Sequence, residues 1–266
     1  MKKTNLLHAR ITTGSFEEFI KEMMMLGQKR ISSTVFVANV HMTIESKIDR
    51  HFRRLFNQAD IVTPDGKPLC AALNFLYGVK QERVSGMDLM PLLLEEAAKK
   101  DVSVYFYGST ADILDRIRQK CAELYPSLKI AGMHSPPFRK LSEDEEQVIV
   151  DNINESGAGM VLVALGCPKQ EKWISSMKGR ISSVMVGLGG AFPVFAGAQK
   201  RAPKWMQEAS LEWLYRFIQE PRRLFKRYFV TNSLFLYLIF KEKARLVFMK
   251  KLSEKSLSLP KVEELV

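Results

Sequence analysis

Four stretches of this chain set polar or glycine-rich residues where a ligand can meet them. Ile61-Val-Thr-Pro-Asp-Gly-Lys67 is a short apolar run that ends at a turn carrying Asp65. Pro64 holds φ at about −65° and pushes Thr63 toward an extended conformation, while Gly66 permits positive φ. Leu69, Leu73, Leu76 and Tyr77 then recur at helical spacing. Asp65 therefore stands at the carboxyl end of a strand, where open α/β sheets bind ligands; the simpler alternative is that it only caps the next helix. Asn39 closes a second apolar run, Gly187-Leu-Gly-Gly190 follows a third, and Gly166-Cys-Pro-Lys-Gln-Glu171 follows a fourth. Parallel strands would bring these loops to one crevice. Pro168 suits a first helical position, so the unpaired N–H groups of that turn favour an anion, and Gln170 can hydrogen-bond a base or a sugar. Gly187, Gly189 and Gly190 let a ligand approach the backbone closely, although tight strand–helix packing accounts for such glycines equally well.

The elements that must position these loops alternate along the chain. Residues 5–12 read as a short strand and 16–26 as a helix. The nearly continuous apolar run 34–40 predicts a strand covered on both faces, followed by one helix through Phe56. After the strand at Ile61 and its helix, the polar stretch 83–89 turns at Gly86 and opens a helix to Lys100. Residues 102–107 form the next strand, with Ser109 or Thr110 capping a helix to Tyr125. Residues 128–133, 160–165 and 181–186 are further strands, and Ser142 with Glu145 makes a capping box. This alternation predicts a Rossmann-like, mostly parallel sheet with helices on both faces, over residues 1–200. Pro203 and Pro221 open helices of an appendage, 201–252, and 253–266 is expected to be a disordered tail.

Hydrophobic residues make up 46% of the 266 and charged residues 26%, as in an ordinary globular protein. The formal charge of +11 is lopsided, because residues 200–266 hold 15 Lys/Arg against 7 Asp/Glu. In that segment Arg216, Arg222, Arg223, Lys226 and Arg227 interleave with Trp213, Phe217, Phe225, Phe229, Phe235 and Leu238, the pattern of a basic amphipathic helix that meets a membrane surface. A helix packed on its own domain with a solvated basic face also fits. Nucleic acid is disfavoured, because no recognised binding module is present. The longest uncharged run there, 228–240, is too short to cross a bilayer, and polar residues near the start interrupt any signal-peptide core. Cys70, Cys121 and Cys167 share no metal-ligand spacing and suit a reduced cytosolic protein. His41 and His134 read as loop or core residues. Clustered carboxylates, a dinucleotide fingerprint, a phosphate loop and a nucleophile elbow are all missing, so neither a metal site nor a cofactor is expected.

Several motifs in order resemble the WecG/TagA/CpsF bacterial glycosyltransferases from about residue 34 to 243. They are Thr63-Pro-Asp-Gly66, Glu82-Arg-Val-Ser-Gly-Met-Asp88, Gly166-Cys-Pro-Lys-Gln-Glu-Lys-Trp173, Gly187-Leu-Gly-Gly-Ala-Phe192, Ala202-Pro-Lys-Trp205, and Glu212-Trp-Leu-Tyr-Arg216 with Glu220-Pro-Arg-Arg223. The resemblance implies inverting transfer from a UDP-sugar to a polyprenyl-diphosphate-linked sugar, without an essential metal, in teichoic acid, exopolysaccharide or related cell-surface polysaccharide assembly. It implies a peripheral enzyme at the inner, cytoplasmic face of the plasma membrane, docked through its C-terminal appendage, and it leaves a homo-oligomer open. Asp65 would be the base that deprotonates the acceptor hydroxyl. Asn39, Thr63, Arg83 and Gln170 would line the sugar and nucleotide pocket with the glycines at 187, 189 and 190. Arg216, Arg222 and Arg223 would offset the charge of the diphosphate leaving group. Val37 stands where many members have Thr, which leaves the donor sugar open. The reading from another class is a non-catalytic α/β module that binds anionic lipid.

Overall fold

A computed structural model describes residues 1–209 and 211–257, and at 216, 223, 224, 226–228 and 253–257 it describes the backbone alone. The chain opens with β1 (Lys2–Leu6) and β2 (Ala9–Thr13), an antiparallel hairpin rather than the single strand expected over 5–12. Leu7 takes φ 60° at the turn, a tight reversal that periodicity alone does not reveal. A capping box between Ser15 and Glu18 starts α1 (Phe16–Gln28). The buried strand β3 (Ser33–Ala38) ends at Asn39, which caps α2 (Val40–Ile48). Where one helix was expected through Phe56, a second, α3 (Arg50–Gln58), begins. The break is Asp49, which leaves the helical region and accepts hydrogen bonds from the His51 and Phe52 amides, a new N-cap in mid-run.

The edge strand β4 (Ile61–Pro64) leads into α4 (Lys67–Tyr77), and Ser85 caps α5 (Gly86–Lys99). Next come β5 (Val104–Gly108) and α6 (Ala111–Leu124), capped by Thr110, one of the two residues the sequence allowed. β6 (Ile130–His134) precedes α7 (Glu143–Glu155), whose predicted Ser142–Glu145 capping box is present. β7 (Met160–Ala164), α8 (Lys169–Met177), β8 (Val184–Gly187) and α9 (Ala191–Phe195) complete the alternation. The six strands run β4-β3-β8-β7-β5-β6 and pair in parallel, with helices on both faces. One face packs against the hairpin, α2, α3, α4, α7 and α8; the other packs against α1, α5, α6 and α9.

The C-terminal part is helical: α10 (Lys204–Glu208), α11 (Glu212–Gln219) and α12 (Pro221–Leu257). Helix α12 runs into the stretch expected to be a disordered tail, so 253–257 are helical, while 258–266 lie outside the described residues. Its apolar residues also divide differently from the sequence expectation. Phe235 and Ile239 are buried in the core shared with α2 and α4, and Leu238 packs beside them. Phe225 and Phe229 face outward, the latter 68% exposed. Residues three and four apart on one helix share a face, so a single amphipathic run presents one stripe to the domain and another to solvent. Lys243 Nζ donates to the Phe75 carbonyl at 2.7 Å, and the rings of Phe75 and Phe240 meet edge to face at 6.0 Å. Among the described residues no helix is long and apolar enough to cross a membrane.

Phe235→Ala is expected to lower the unfolding free energy by about 3–5 kcal/mol, the cost of emptying a well-packed aromatic site. Phe229→Ala should cost less than about 0.5 kcal/mol. Urea unfolding of the two variants distinguishes them, and a small loss in both would mean that α12 does not seal the core.

Candidate functional site

The carboxyl ends of β3, β4, β7 and β8 open onto one crevice of about 320 Å³. Strand β3 passes the chain to α2 on one face, while its neighbour β8 passes it to α9 on the other. That divergence is the switch point at which open parallel sheets hold ligands. Asn39, Asp65, Arg83, Gln170 and Gly187 to Gly190 all line the crevice, so the structure brings together every strand-end loop that the sequence singled out.

Asp65 continues the β4 ladder by one residue, its amide donating to the Ala38 carbonyl at 2.8 Å. Helix α4 has Gly66 as its N-cap residue, so Asp65 stands one position before the cap. Asp65 is one of the residues that line the crevice. Asn39 does cap: its Oδ1 accepts from the Met42 amide at 3.1 Å, which leaves Nδ2 as the group with which it can meet a ligand. Thr63 lies beneath the site, fully buried and absent from the lining, with its hydroxyl donating to the Val84 carbonyl at 3.3 Å. With the Val84 amide donating to Pro64 O at 2.9 Å, it fastens the Arg83 loop to the end of β4.

Arg83 reaches the crevice as part of an ionic cluster. Its guanidinium pairs closely with Glu212 at the start of α11 and lies 3.6 Å from Asp88. Arg201 joins both carboxylates, at 3.0 Å from Glu212 and 2.7 Å from Asp88. Burial works against the Arg201 charge, but hydrogen bonds to Asp88 and Glu212 outweigh it and hold its pKa above the ordinary value. The cluster ties the appendage to the first turn of α5.

The turn after β7 differs by one position from the expectation: Pro168 is the N-cap of α8, and Lys169 its first helical residue. Gln170 is buried in the crevice wall, with Oε1 accepting from the Gly189 amide at 3.2 Å. Its Nε2 donates at 2.7 Å to Glu171, a wholly buried carboxyl whose pKa desolvation raises. A Cβ on Gly187 would come 3.0 Å from Gln170 Nε2, and one on Gly189 2.8 Å from Oε1. Those two glycines therefore make room for the Gln170 amide.

The appendage contributes Glu212, Trp213, Thr231 and Asn232 to the lining. Sequence reasoning missed these four as lining residues, although Thr231 and Asn232 are polar interruptions inside the uncharged run of α12. Arg222 lies exposed in the first turn of α12 and outside the lining, while the side chains of Arg216 and Arg223 lie outside the described residues. His41 is half-buried at the crevice, and His134 stacks on Tyr107 with burial lowering its pKa, as a packing residue does. Cys121 is a core thiol pushed by burial to about 12, whereas Cys167 is half-buried in the crevice lining. Among the described residues no three His, Cys, Asp or Glu side chains cluster as a metal site.

Comparison with known proteins accords with this geometry. The chain is 29% identical over 248 residues, 93% of its length and 94% of the relative's, to the N-acetylglucosaminyldiphosphoundecaprenol N-acetyl-beta-D-mannosaminyltransferase of Bacillus subtilis. It is 32% identical over 190 residues to the protein of that name from Bacillus spizizenii, covering 71% of this chain and 72% of that one. The Staphylococcus aureus protein of that name is 25% identical over 247 residues, 92% of this chain and 94% of the relative. The family described as glycosyl transferase WecG/TagA/CpsF matches residues 4–247, and the protein belongs to that family of glycosyltransferases.

Proposed function

We propose that this glycosyltransferase moves an N-acetylmannosaminyl group from a UDP-sugar to an N-acetylglucosamine carried on undecaprenyl diphosphate, with inversion and without a metal. The acceptor and sugar follow the names of its relatives. The observation that carries the reading is Asp65, an acidic residue in the crevice lining at the carboxyl end of β4. In this mechanism the Asp65 carboxylate takes the proton of the acceptor hydroxyl as its oxygen attacks the anomeric carbon, and the bond to UDP breaks on the opposite side. Arg216, Arg222 and Arg223, on α11 and the start of α12, offset the charge that develops on the departing diphosphate. Asn39 Nδ2, Gln170 and Arg83 hold the donor, and Thr63 acts from beneath by fixing the Arg83 loop. Val37, 8% exposed in the crevice floor, offers that donor an apolar contact.

The lipid tail of such an acceptor stays in the bilayer, so an enzyme working on it needs an adhesive face. The residues from about 201 onward supply one in this reading. Phe225 and Phe229 stack at 6.0 Å on the outer side of α12, with Val230, Leu236 and Tyr237 exposed further along and Arg222 one turn before. Apolar side chains flanked by cations are what an anionic bilayer surface retains, at the inner face of the membrane where UDP-sugars are found.

Asp65→Asn keeps size and turn geometry and removes the base. Turnover of a radiolabelled UDP-sugar with a diphospholipid-linked acceptor is expected to fall about 10²-fold or more, with donor affinity little changed. Near-normal turnover removes Asp65 from that role. If the wild-type protein neither binds nor turns over any UDP-sugar of a panel, the transferase chemistry proposed here fails and lipid binding alone remains. Turnover should survive EDTA; a complete loss restored by Mg²⁺ or Mn²⁺ would refute charge stabilisation by arginine. Finally, Phe225→Ser with Phe229→Ser should abolish binding to anionic vesicles and spare turnover of a soluble short-chain acceptor, while Arg216→Ala with Arg223→Ala should do the reverse. Equal losses in both assays would show that the tail is one indivisible element.

A further inference from the structure

Glu171 is an expensive residue where it sits. It lies in the first turn of α8, where a carboxylate ordinarily faces solvent and meets the positive end of the helix. Here it is wholly buried, and its Oε2 finds no hydrogen-bond partner among the described residues. An apolar side chain of the same length would avoid that desolvation cost. The carboxyl's side-chain partners are Gln170, whose Nε2 donates to Oε1 at 2.7 Å, and the Cys167 thiol.

A glutamine amide is nearly symmetric in shape, and only its partners decide which end is oxygen and which nitrogen. At Gln170 both ends are specified in the same sense. Gly189 offers an N–H that only Oε1 can accept, at 3.2 Å, and Glu171 offers an acceptor that only Nε2 can use. The second contact is the shorter. Without it the amide would depend on the longer bond to a backbone loop, with nothing to stop a flip that turns its oxygen toward the crevice. The fit against Gly187 and Gly189 leaves the amide no sideways room, so a half-turn about its last torsion is the motion that remains.

We propose that Glu171 is a positioning residue: through Oε1 it fixes the Gln170 carboxamide so that the second N–H of Nε2 is presented to an acceptor oxygen of the ligand in the crevice. Burial raises the pKa of this carboxyl, and the hydrogen bonds from Gln170 and Cys167 oppose that shift. The fixing of the amide stands on these hydrogen bonds alone, whereas its consequence for donor binding rests on the function proposed above.

The test uses the full chain. Gln170 side-chain amide signals are identified in ¹⁵N spectra by their loss in Gln170→Ala, and UDP-sugar affinity is measured by calorimetry. Glu171→Met keeps the length and removes the acceptor. It is expected to shift the Gln170 amide signals and to weaken donor binding about tenfold, the worth of one good hydrogen bond. The double variant Glu171→Met with Gln170→Ala should bind no worse than Gln170→Ala alone, because both changes remove one interaction. Glu171→Gln keeps an acceptor oxygen at that position and should hold the Gln170 signals and keep affinity within about twofold. Unchanged Gln170 signals in Glu171→Met overturn the proposal, as do losses that multiply in the double variant. Should Glu171→Met not fold, displaced Gln170 signals in a folded Glu171→Gln do the same. If the wild-type protein binds no UDP-sugar, the proposed function falls and the spectra alone decide the role of Glu171.

Discussion

Everything at the crevice depends on β3 and β8 lying side by side while their chains leave for opposite faces of the sheet. A parallel strand must pass its chain to a crossover, and where two neighbours send theirs apart the tops of both stay uncovered. Asn39 and the glycine loop at 187–190 line the gap from these two strands, and the flanking strands add Asp65 and the 166–171 turn. Chemistry-bearing residues more than a hundred positions apart in sequence therefore meet, with no element bent to bring them together. The edge position of β4 has its own logic, because Pro64 offers no N–H and β4 needs a partner on one side only.

The open side of the crevice is walled by the appendage, and two different forces hold that wall. Along α12 the force is apolar: Phe235 and Ile239 enter the same core as α2 and α4. At α10 and α11 it is polar. Lys67 Nζ donates to the Glu208 carbonyl at 2.6 Å, and Glu212 bridges Arg83 and Arg201 beneath the crevice rim. Partly buried ion clusters of this kind contribute less to stability than to geometry, since each charge gives up water to join. Their effect here is to set where α11 and the first turn of α12 stand relative to Asp65. Arg83 thus has two attachments at once, lining the crevice and holding the helix that covers it.

The same appendage has an outer face of a different character. The core-facing stripe of α12 is used up by packing, and the aromatic residues on its far side stay in solvent. One helix therefore seals the domain with one stripe and leaves another exposed to solvent. The crevice wall contributed by Thr231 and Asn232 lies on the first of these two stripes.

Local information fixed much of this design before any contact was known. The apolar runs at 34–40 and 160–165, the capping boxes and the turn at Pro64 and Gly66 are decided by a few neighbouring residues, and the parallel sheet with Asp65 at a strand end followed from their alternation. Sequence alone could not say that Leu7 reverses the chain, that Asp49 restarts a helix, or that Pro168 caps rather than begins α8, because each turns on a backbone conformation that several residue types tolerate. Nor could it separate the two stripes of α12, since Phe235 and Phe229 are the same residue until a domain stands on one side. The burial of Glu171 and the use of Gly187 and Gly189 to admit Gln170 belong wholly to the tertiary structure. A carboxyl in a first helical turn is ordinary in sequence, and only the strands packed around α8 remove its water and leave the Gln170 amide and the Cys167 thiol as its side-chain partners.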